Sequence, residues 1–579
     1  MNILIVSTAF NGLTQRVWSE LRRAGHFVTQ RVLPSEDDAA VREWVAQLGP
    51  KLVIAPFLKA KIPVDLGVPT VIIHPGLPGD AGPSAIDWAI HRNERQWGAE
   101  AIDAHEIIDG GAVHAWAAFA LRADGTKSSV YGDEMTEAAV EITLETVKNI
   151  DLGITPTPQS AMALQGQPRR AMKNTDRAID FDAMDAETIH RIIRMSDSQP
   201  GARATFGGRA YRLYDAHFED KLQADPSAFK ATRDGAVLIG TRTRALWIGM
   251  AKEDATDAIK LPADRVLPIG TIPERPCQPW QLIEGSTFRD VTITRHGNVS
   301  VIHAAFYNGA MSVERSQRVT AALQYAQNDP RTAVIVLSGS RNHFSNGIDL
   351  NTIQASPRPA HEAWASINAI NEIALSILRS KKPVITALSG NAGAGGVMVG
   401  LGADRVIARA GTVFNPHYKG MGLYGSELWT YSLPRRVGVS LAVELTEALL
   451  PVLAEDALEI GLVDAILPRD WDAFQANLVE YASALVPIAD QLVKARLSAL
   501  EMAAQPLEAH RATELSVMVG NMFGDDLGFK QKCAAFVLKT PQCGTPSAIQ
   551  QLEVSARVAR AAPVKIFAPD ATRTPAFSS

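Results

Sequence analysis

Residues 72–83 read IIHPGLPGDAGP, leaving an apolar run at 71–73 and entering the helical pattern SAIDWAIHRN at 84–93. Strand, Pro-Gly turn and helix in that order form the joint of an α/β sheet, and such sheets bind ligands beyond the carboxyl ends of their strands. His74 stands at that end, presented by the turn that follows it. Outward from this joint, apolar runs at 3–6, 28–32 and 52–54 alternate with amphipathic segments such as 15–24. The pattern predicts a parallel sheet covered on both faces, with residues 7–14 and 74–83 on its functional edge.

An imidazole titrates near neutrality, so His74 suits charge stabilisation or proton relay in acyl transfer. HEIIDGG at 105–111 adds the carboxylate of Asp109 in a glycine turn. Acyl transfer from an amide-like nitrogen needs one group to polarise the carbonyl oxygen and another to move a proton. The residues alone leave a structural role open for His74, because a histidine before proline is more often a satisfied structural group. His91, His105, His114 and His303 are read as structural.

The chain has 579 residues, more than one core supports, since single cores stop growing at roughly 250–300 residues. A composition of 46% apolar and 21% charged residues with net charge −5 points to no nucleic-acid or membrane partner. Cys277, Cys533 and Cys543 are too few and scattered for a disulfide framework, and none has a second ligand pair at zinc spacing, so no metal site and a reducing, cytoplasmic location are expected. MNILIVSTAF reads as a first buried strand, not as a signal core, because no basic leader or small-residue cleavage site accompanies it.

The expected organisation is α/β and multidomain. A Rossmann-like unit spans 1–165 and ends in the Pro-rich ITPTPQSAMALQGQPRR at 154–170. A small β-rich accessory unit spans 166–275, with a capped helix at 185–195 and strands around Tyr211, Val237 and Trp247. A linker at 276–290 begins within the Pro-rich TIPERPCQPW at 271–280. A further α/β core spans 291–486, with strands at 299–303, 333–337 and 384–388 and helices at 313–327 and 367–378. A helical region spans 487–579, its pattern running to about residue 560.

The core at 291–486 carries a second constellation. GNAGAGG at 390–396 follows the strand VITAL, but its spacing is wrong for a dinucleotide loop. One bare N–H near Gly395 aimed at a thioester oxygen fits better, with a second donor from FSNGIDL at 344–350. Two such amides make an oxyanion hole, where loss of one donor costs about 2.7–4 kcal/mol of barrier lowering.

The first unit resembles the folate-dependent formyltransferases. FNGLTQ at 10–15, HPGLPG with the following GP and WAI, and the Asp109-Gly110-Gly111 turn stand in that family's order. The resemblance implies that His74 and Asp109 are the catalytic pair. It places Ser7, Asn11, Gln15, Ile73 and Gly110 as candidate contacts of 10-formyltetrahydrofolate. The family's Asn two residues before the histidine is here Ile72, so another group must replace that amide, with Gln15 and Ser7 as edge candidates. HRIIR at 190–194 and QPGA at 199–202 resemble the accessory domain of the tRNA formyltransferases, but no dense basic stripe accompanies them.

Residues 290–480 resemble the crotonase (enoyl-CoA hydratase/isomerase) superfamily through NGAMS at 308–312, FSNGID, SGNAGAGG at 389–396, Ala403-Asp404 and RRVG at 435–438. This implies the backbone amides of Ile348 and Gly395 as oxyanion donors, coenzyme A as ligand, and contacts at Ala304, Ala310 and Asn346. Hydratases place two glutamates over the thioester. Here Met398 fills the first place and FNPHY at 414–418 the second, so two-carboxylate water addition is not expected. His417, Tyr418, Tyr424 and Glu427 remain as polar groups. Tyr418, Glu427 and His417 are the catalytic candidates, with a core aromatic role for Tyr424 and an ion pair from Glu427 to Arg435 as the structural alternatives.

The two halves together resemble the HypX (HoxX) family of nickel-iron hydrogenase maturation factors. That resemblance implies a bifunctional enzyme that passes the formyl group to coenzyme A and decarbonylates formyl-CoA to carbon monoxide, with hydrogenase maturation proteins as possible partners. Two other readings stand beside it: a formyl-folate hydrolase fused to a CoA-thioester hydrolase or hydratase, and a non-catalytic assembly scaffold.

Overall fold

A computed structural model describes residues 1–540 and Ile549. Cys543 and the end of the expected helical region lie outside the described residues. The first sheet runs in the order Phe27–Val32, Asn2–Ser7, Leu52–Ala55, Thr70–His74, Gln96–Asp103, Val113–Ala120. Its first four strands are parallel, as their continuous apolar runs predict. The last two, which the sequence reading did not place, join it antiparallel. QWGAEAID and VHAWAAFA are rich in alanine and poor in β-branched residues, so they carry little strand signal.

The helix expected at 15–24 is Gly12–Arg23, opened by Asn11, whose side chain accepts the Thr14 N–H at 3.0 Å. Its apolar face, through Leu13, Val17 and Leu21, enters the core on one side of the sheet. On the other side, Val41 of helix Asp38–Leu48 covers Leu4, Val6 and Val53.

The accessory sheet is antiparallel in the order Ala202–Phe206, Arg209–Phe218, Leu246–Glu253, Ala236–Ile239, Phe229–Arg233. Asp185 caps helix Ala186–Met195 through the Thr188 N–H at 2.7 Å. Ile189 and Ile193 of that helix, with Leu213 and Ile248 of the sheet, join the same apolar cluster as Ile3 and Ile5. The first two sheets therefore share one core. The segment expected as a linker is pinned: Trp280 stacks on Tyr325 at 4.4 Å and the Ser286 N–H donates to Asp220 at 2.6 Å.

The third sheet runs Val291–His296, Val299–Ala304, Val334–Ser338, Val384–Leu388, Arg405–Arg409, Ala465–Leu467, antiparallel at its first pair and parallel thereafter. VIVLS and VITAL are buried along their whole length, as central strands covered on both faces must be. Helices Val313–Asn328 and Pro359–Leu378 cover one face and Trp471–Ala484 the other. The second of these starts earlier than the expected 367, with a proline in its first turn. A small sheet, His343–Ser345, Asn391–Gly393, Val413–Asn415, Val452–Leu453, stands beside it. Helices Ala489–Glu501, Leu507–Val519 and Phe529–Val537 continue the chain. Among the described residues no helix is long and apolar enough to cross a membrane.

Candidate active sites

His74 ends its strand buried, its Nδ1 3.4 Å from Asp109 Oδ1 and its Nε2 3.2 Å from Asp80 Oδ2. Burial disfavours the imidazolium, but the two carboxylates outweigh it and raise the ring to about 9. Asp109 occupies a left-handed turn, φ 56°, and accepts the Gly82 N–H at 2.9 Å. Burial works against its charge, yet the His74 contact holds it below the usual carboxylate range. Asp80 pairs with Arg169 at 2.5 Å, and that guanidinium lies 4.7 Å over the Trp97 ring. The sequence reading missed Asp80, although it lies inside the quoted turn.

It also missed Glu100. Antiparallel register sets Glu100 directly opposite His74 and Ile102 opposite Ile72, so all four share one sheet face. Glu100 is wholly buried, neither oxygen has a hydrogen-bond partner, and burial pushes its carboxyl up to about 8.

The other folate candidates divide. Gly110 borders a cavity of about 590 Å³ beside the Asp109 turn. Ser7 donates to the Ala9 carbonyl just past its strand and accepts from Gln30 of the neighbouring strand. Ile73 points away from His74 into the core, so only its backbone faces the cleft. Gln15 accepts from Asn415 Nδ2 at 3.1 Å, a bond to the distant half of the chain, and donates to the Phe10 carbonyl at 3.1 Å. Asn11, besides capping its helix, borders a cavity of about 530 Å³ whose wall draws on all three units, including Lys59, Lys127, Arg177, Asn342 and Arg469.

In the second site, a parallel bridge pairs Met311 with Ile348, using the Gly347 carbonyl and the Asp349 N–H. The Ile348 N–H therefore points to the opposite side, towards the glycine run. Gly347 has φ +77°, and a side chain on it would reach within 3.4 Å of the Gly395 nitrogen. Gly395 opens the short helix Gly395–Met398. A β-carbon there would lie 2.5 Å from Glu427 Oε1, so only glycine lets the carboxyl and that amide share the space.

Glu427 is buried and accepts the Tyr418 hydroxyl at 2.6 Å and the Ser426 N–H at 3.2 Å. Burial pushes it up to about 7 and pushes Tyr418 well above its ordinary value. The ion-pair alternative to Arg435 is not formed, since that guanidinium lies over the Tyr431 ring. Tyr424 packs against Trp429. His417 has an unpartnered Nε2 and is lowered by burial to about 4. Met398 is fully buried apolar packing. Asn346 donates to the Asn308 carbonyl at 2.8 Å, and Ala310 accepts from Arg315 at 3.1 Å. Ala304 is packed in the core.

The histidines read as structural have local partners: His114 with Asp103 at 2.7 Å, His105 with the Ile107 N–H, His303 with Thr294, and His91 against Trp88.

Residues 300–542 match the enoyl-CoA hydratase/isomerase family, and residues 171–263 match the formyl transferase C-terminal domain. The hydrogenase maturation factor HoxX of Bradyrhizobium diazoefficiens is 36% identical, over 95% of this chain and 97% of that one. Crystal structures of HypX from Aquifex aeolicus superimpose on the chain. One, in complex with tetrahydrofolic acid, has TM-score 0.89 and 38% identity, covering 94% of this chain and 98% of that one. A probable enoyl-CoA hydratase of Mycobacterium tuberculosis is 33% identical over 33% of this chain and 70% of its own.

Proposed function

The chain belongs to the HypX/HoxX family of hydrogenase maturation factors, and on that premise we propose that it moves a formyl group from 10-formyltetrahydrofolate to coenzyme A and splits formyl-CoA into carbon monoxide and free coenzyme A. The tetrahydrofolic acid held by the Aquifex relative supports a folate in the first cleft. The crotonase half supports a thioester in the second.

In the first step the thiol sulfur attacks the formyl carbon. His74, protonated at neutral pH between Asp109 and Asp80, stabilises the developing oxyanion. The carbon–nitrogen bond then breaks, and the folate nitrogen takes up the proton that the thiol gives up. In the second step the Ile348 and Gly395 amides hold the thioester oxygen. Glu427 removes the formyl proton, the carbon–sulfur bond breaks, and carbon keeps the former C–H pair as carbon monoxide. The thiolate recovers its proton from Glu427.

The observation that carries this reading is the Glu427 carboxyl, buried, bonded to Tyr418 and packed on Gly395, where Met398 has replaced the hydratase carboxylate. A single carboxyl raised to about 7 is suited to take up and return one proton near neutrality. The carbon monoxide would supply the hydrogenase iron, which fits the maturation role of the family.

The test is haemoglobin trapping of gas from protein, 10-formyltetrahydrofolate and coenzyme A. Glu427→Gln is expected to abolish carbon monoxide release while folate deformylation continues, and His74→Ala to stop folate turnover with coenzyme A binding intact. Gas release unchanged in Glu427→Gln removes that carboxyl from the chemistry. Formate in place of gas would mean a hydrolase.

A further inference from the structure

The turn that carries Glu427 is held from outside. Glu427 and Leu428 both take left-handed backbone conformations, φ 65° and 58°. Residues with a β-carbon adopt that region only when their surroundings impose it. Two side chains do so here. Asn371, on helix Pro359–Leu378, accepts the Glu427 N–H through Oδ1 at 2.5 Å. Glu514, on helix Leu507–Val519, accepts the Leu428 N–H at 3.0 Å, the Thr430 N–H at 2.9 Å and the Thr430 hydroxyl at 2.7 Å.

Helix Trp429–Val437 starts directly after Leu428, which has no capping side chain of its own. Glu514 therefore caps that helix from another element, placing a carboxylate at its positive end. The residue is wholly buried. Burying a carboxyl costs free energy that hydrogen bonds to its oxygens offset, and every hydrogen bond of this one goes to the segment that aims Glu427 at Gly395.

Resting on the reading above that Glu427 handles the formyl proton, we propose that Glu514, assisted by Asn371, is the positioning residue of the thioester site, fixing the Glu427 carboxyl against the Gly395 amide. The groups facing Glu514 are Glu427, Tyr418 and Tyr424 from the loop side, and His510 on its own helix through the Thr430 hydroxyl at 3.0 Å. After burial itself, the nearby negative charge of Glu514 is a further cause of the upward shift of Glu427.

Two predictions separate positioning from mere packing. Glu514→Gln removes the charge and turns an amide NH₂ towards one of the two N–H donors. In the full-length protein, the infrared carboxyl band that vanishes in Glu427→Gln is expected to titrate at lower pH in Glu514→Gln than in the wild type. With added formyl-CoA, kcat for carbon monoxide release should fall by about tenfold to a hundredfold with KM little changed, and the acid limb of its pH profile should move the same way as the band. Glu514→Asp keeps the charge but shortens the reach, so it should lower kcat and leave the limb in place. Folate deformylation at His74 reports that each variant is folded.

A band at its wild-type position in Glu514→Gln, or wild-type kcat in both variants, overturns the assignment. A wild type that releases no carbon monoxide retires the function proposed above, and the shift of the band still decides the role of Glu514.

Discussion

His74 is an imidazole enclosed by carboxyls, and its charge state follows from them. Its folded value of about 9 lies above the ordinary 6.5, so the stability it contributes is fully present below pH 6.5 and is lost as pH rises through 9. Denaturant titrations should show the wild type losing about 3 kcal/mol over that interval relative to His74→Gln. Because the charge of Glu100 favours the imidazolium, Glu100→Gln should lower the His74 titration seen by NMR of the ring protons; an unmoved titration would show that the two do not interact. His74 and Asp109 are legible in the chain because each sits where a strand or glycine turn exposes it. Glu100 is not, since QWGAEAID gives no sign of which strand lies opposite. Only the register with Thr70–His74 brings its carboxyl to the imidazole.

At the scale of elements, the glycine run at 390–396 and the loop NPHYKGMGLYGSE at 415–427 act as a pair, one carrying an amide and the other a carboxyl into the same space. Gly395→Ala should displace the Glu427 carboxyl and cut carbon monoxide release by about 10²–10³-fold, read as turnover of added formyl-CoA. Tyr418→Phe removes a hydrogen bond that lowers the Glu427 pKa, so the acid limb of that turnover should move to higher pH. The motifs that mark this site were readable because each is local, a turn within a few residues of a strand. The supports were not. Asn371 lies 56 positions from the amide it holds and Glu514 lies 86 from Leu428, on helices whose sequence explains only their apolar faces. The antiparallel strands Gln96–Asp103 and Val113–Ala120 escaped for a related reason, since their residues pack well in a sheet without favouring one alone.

For the molecule as a whole, the joint between the first unit and the crotonase half centres on Asp133. This buried carboxylate, between helices Lys127–Gly132 and Glu134–Asp151, meets Arg409 at 2.5 Å, Arg469 at 2.6 Å and Arg341 at 3.3 Å. Arg409 is itself almost fully buried. Asp133→Asn leaves that guanidinium uncompensated and should cost about 3–5 kcal/mol, appearing in calorimetry as an earlier transition that splits into two. Gln15 meets the other half at this same scale, because its partner Asn415 comes from there. The arginine cluster also bears on descent. Separate genes encoding the two halves would each yield a surface with a stranded charge, one lacking its anion and the other its cations. Once such a joint exists, drift back to independent proteins requires both surfaces to be rebuilt together, and the fusion becomes self-preserving.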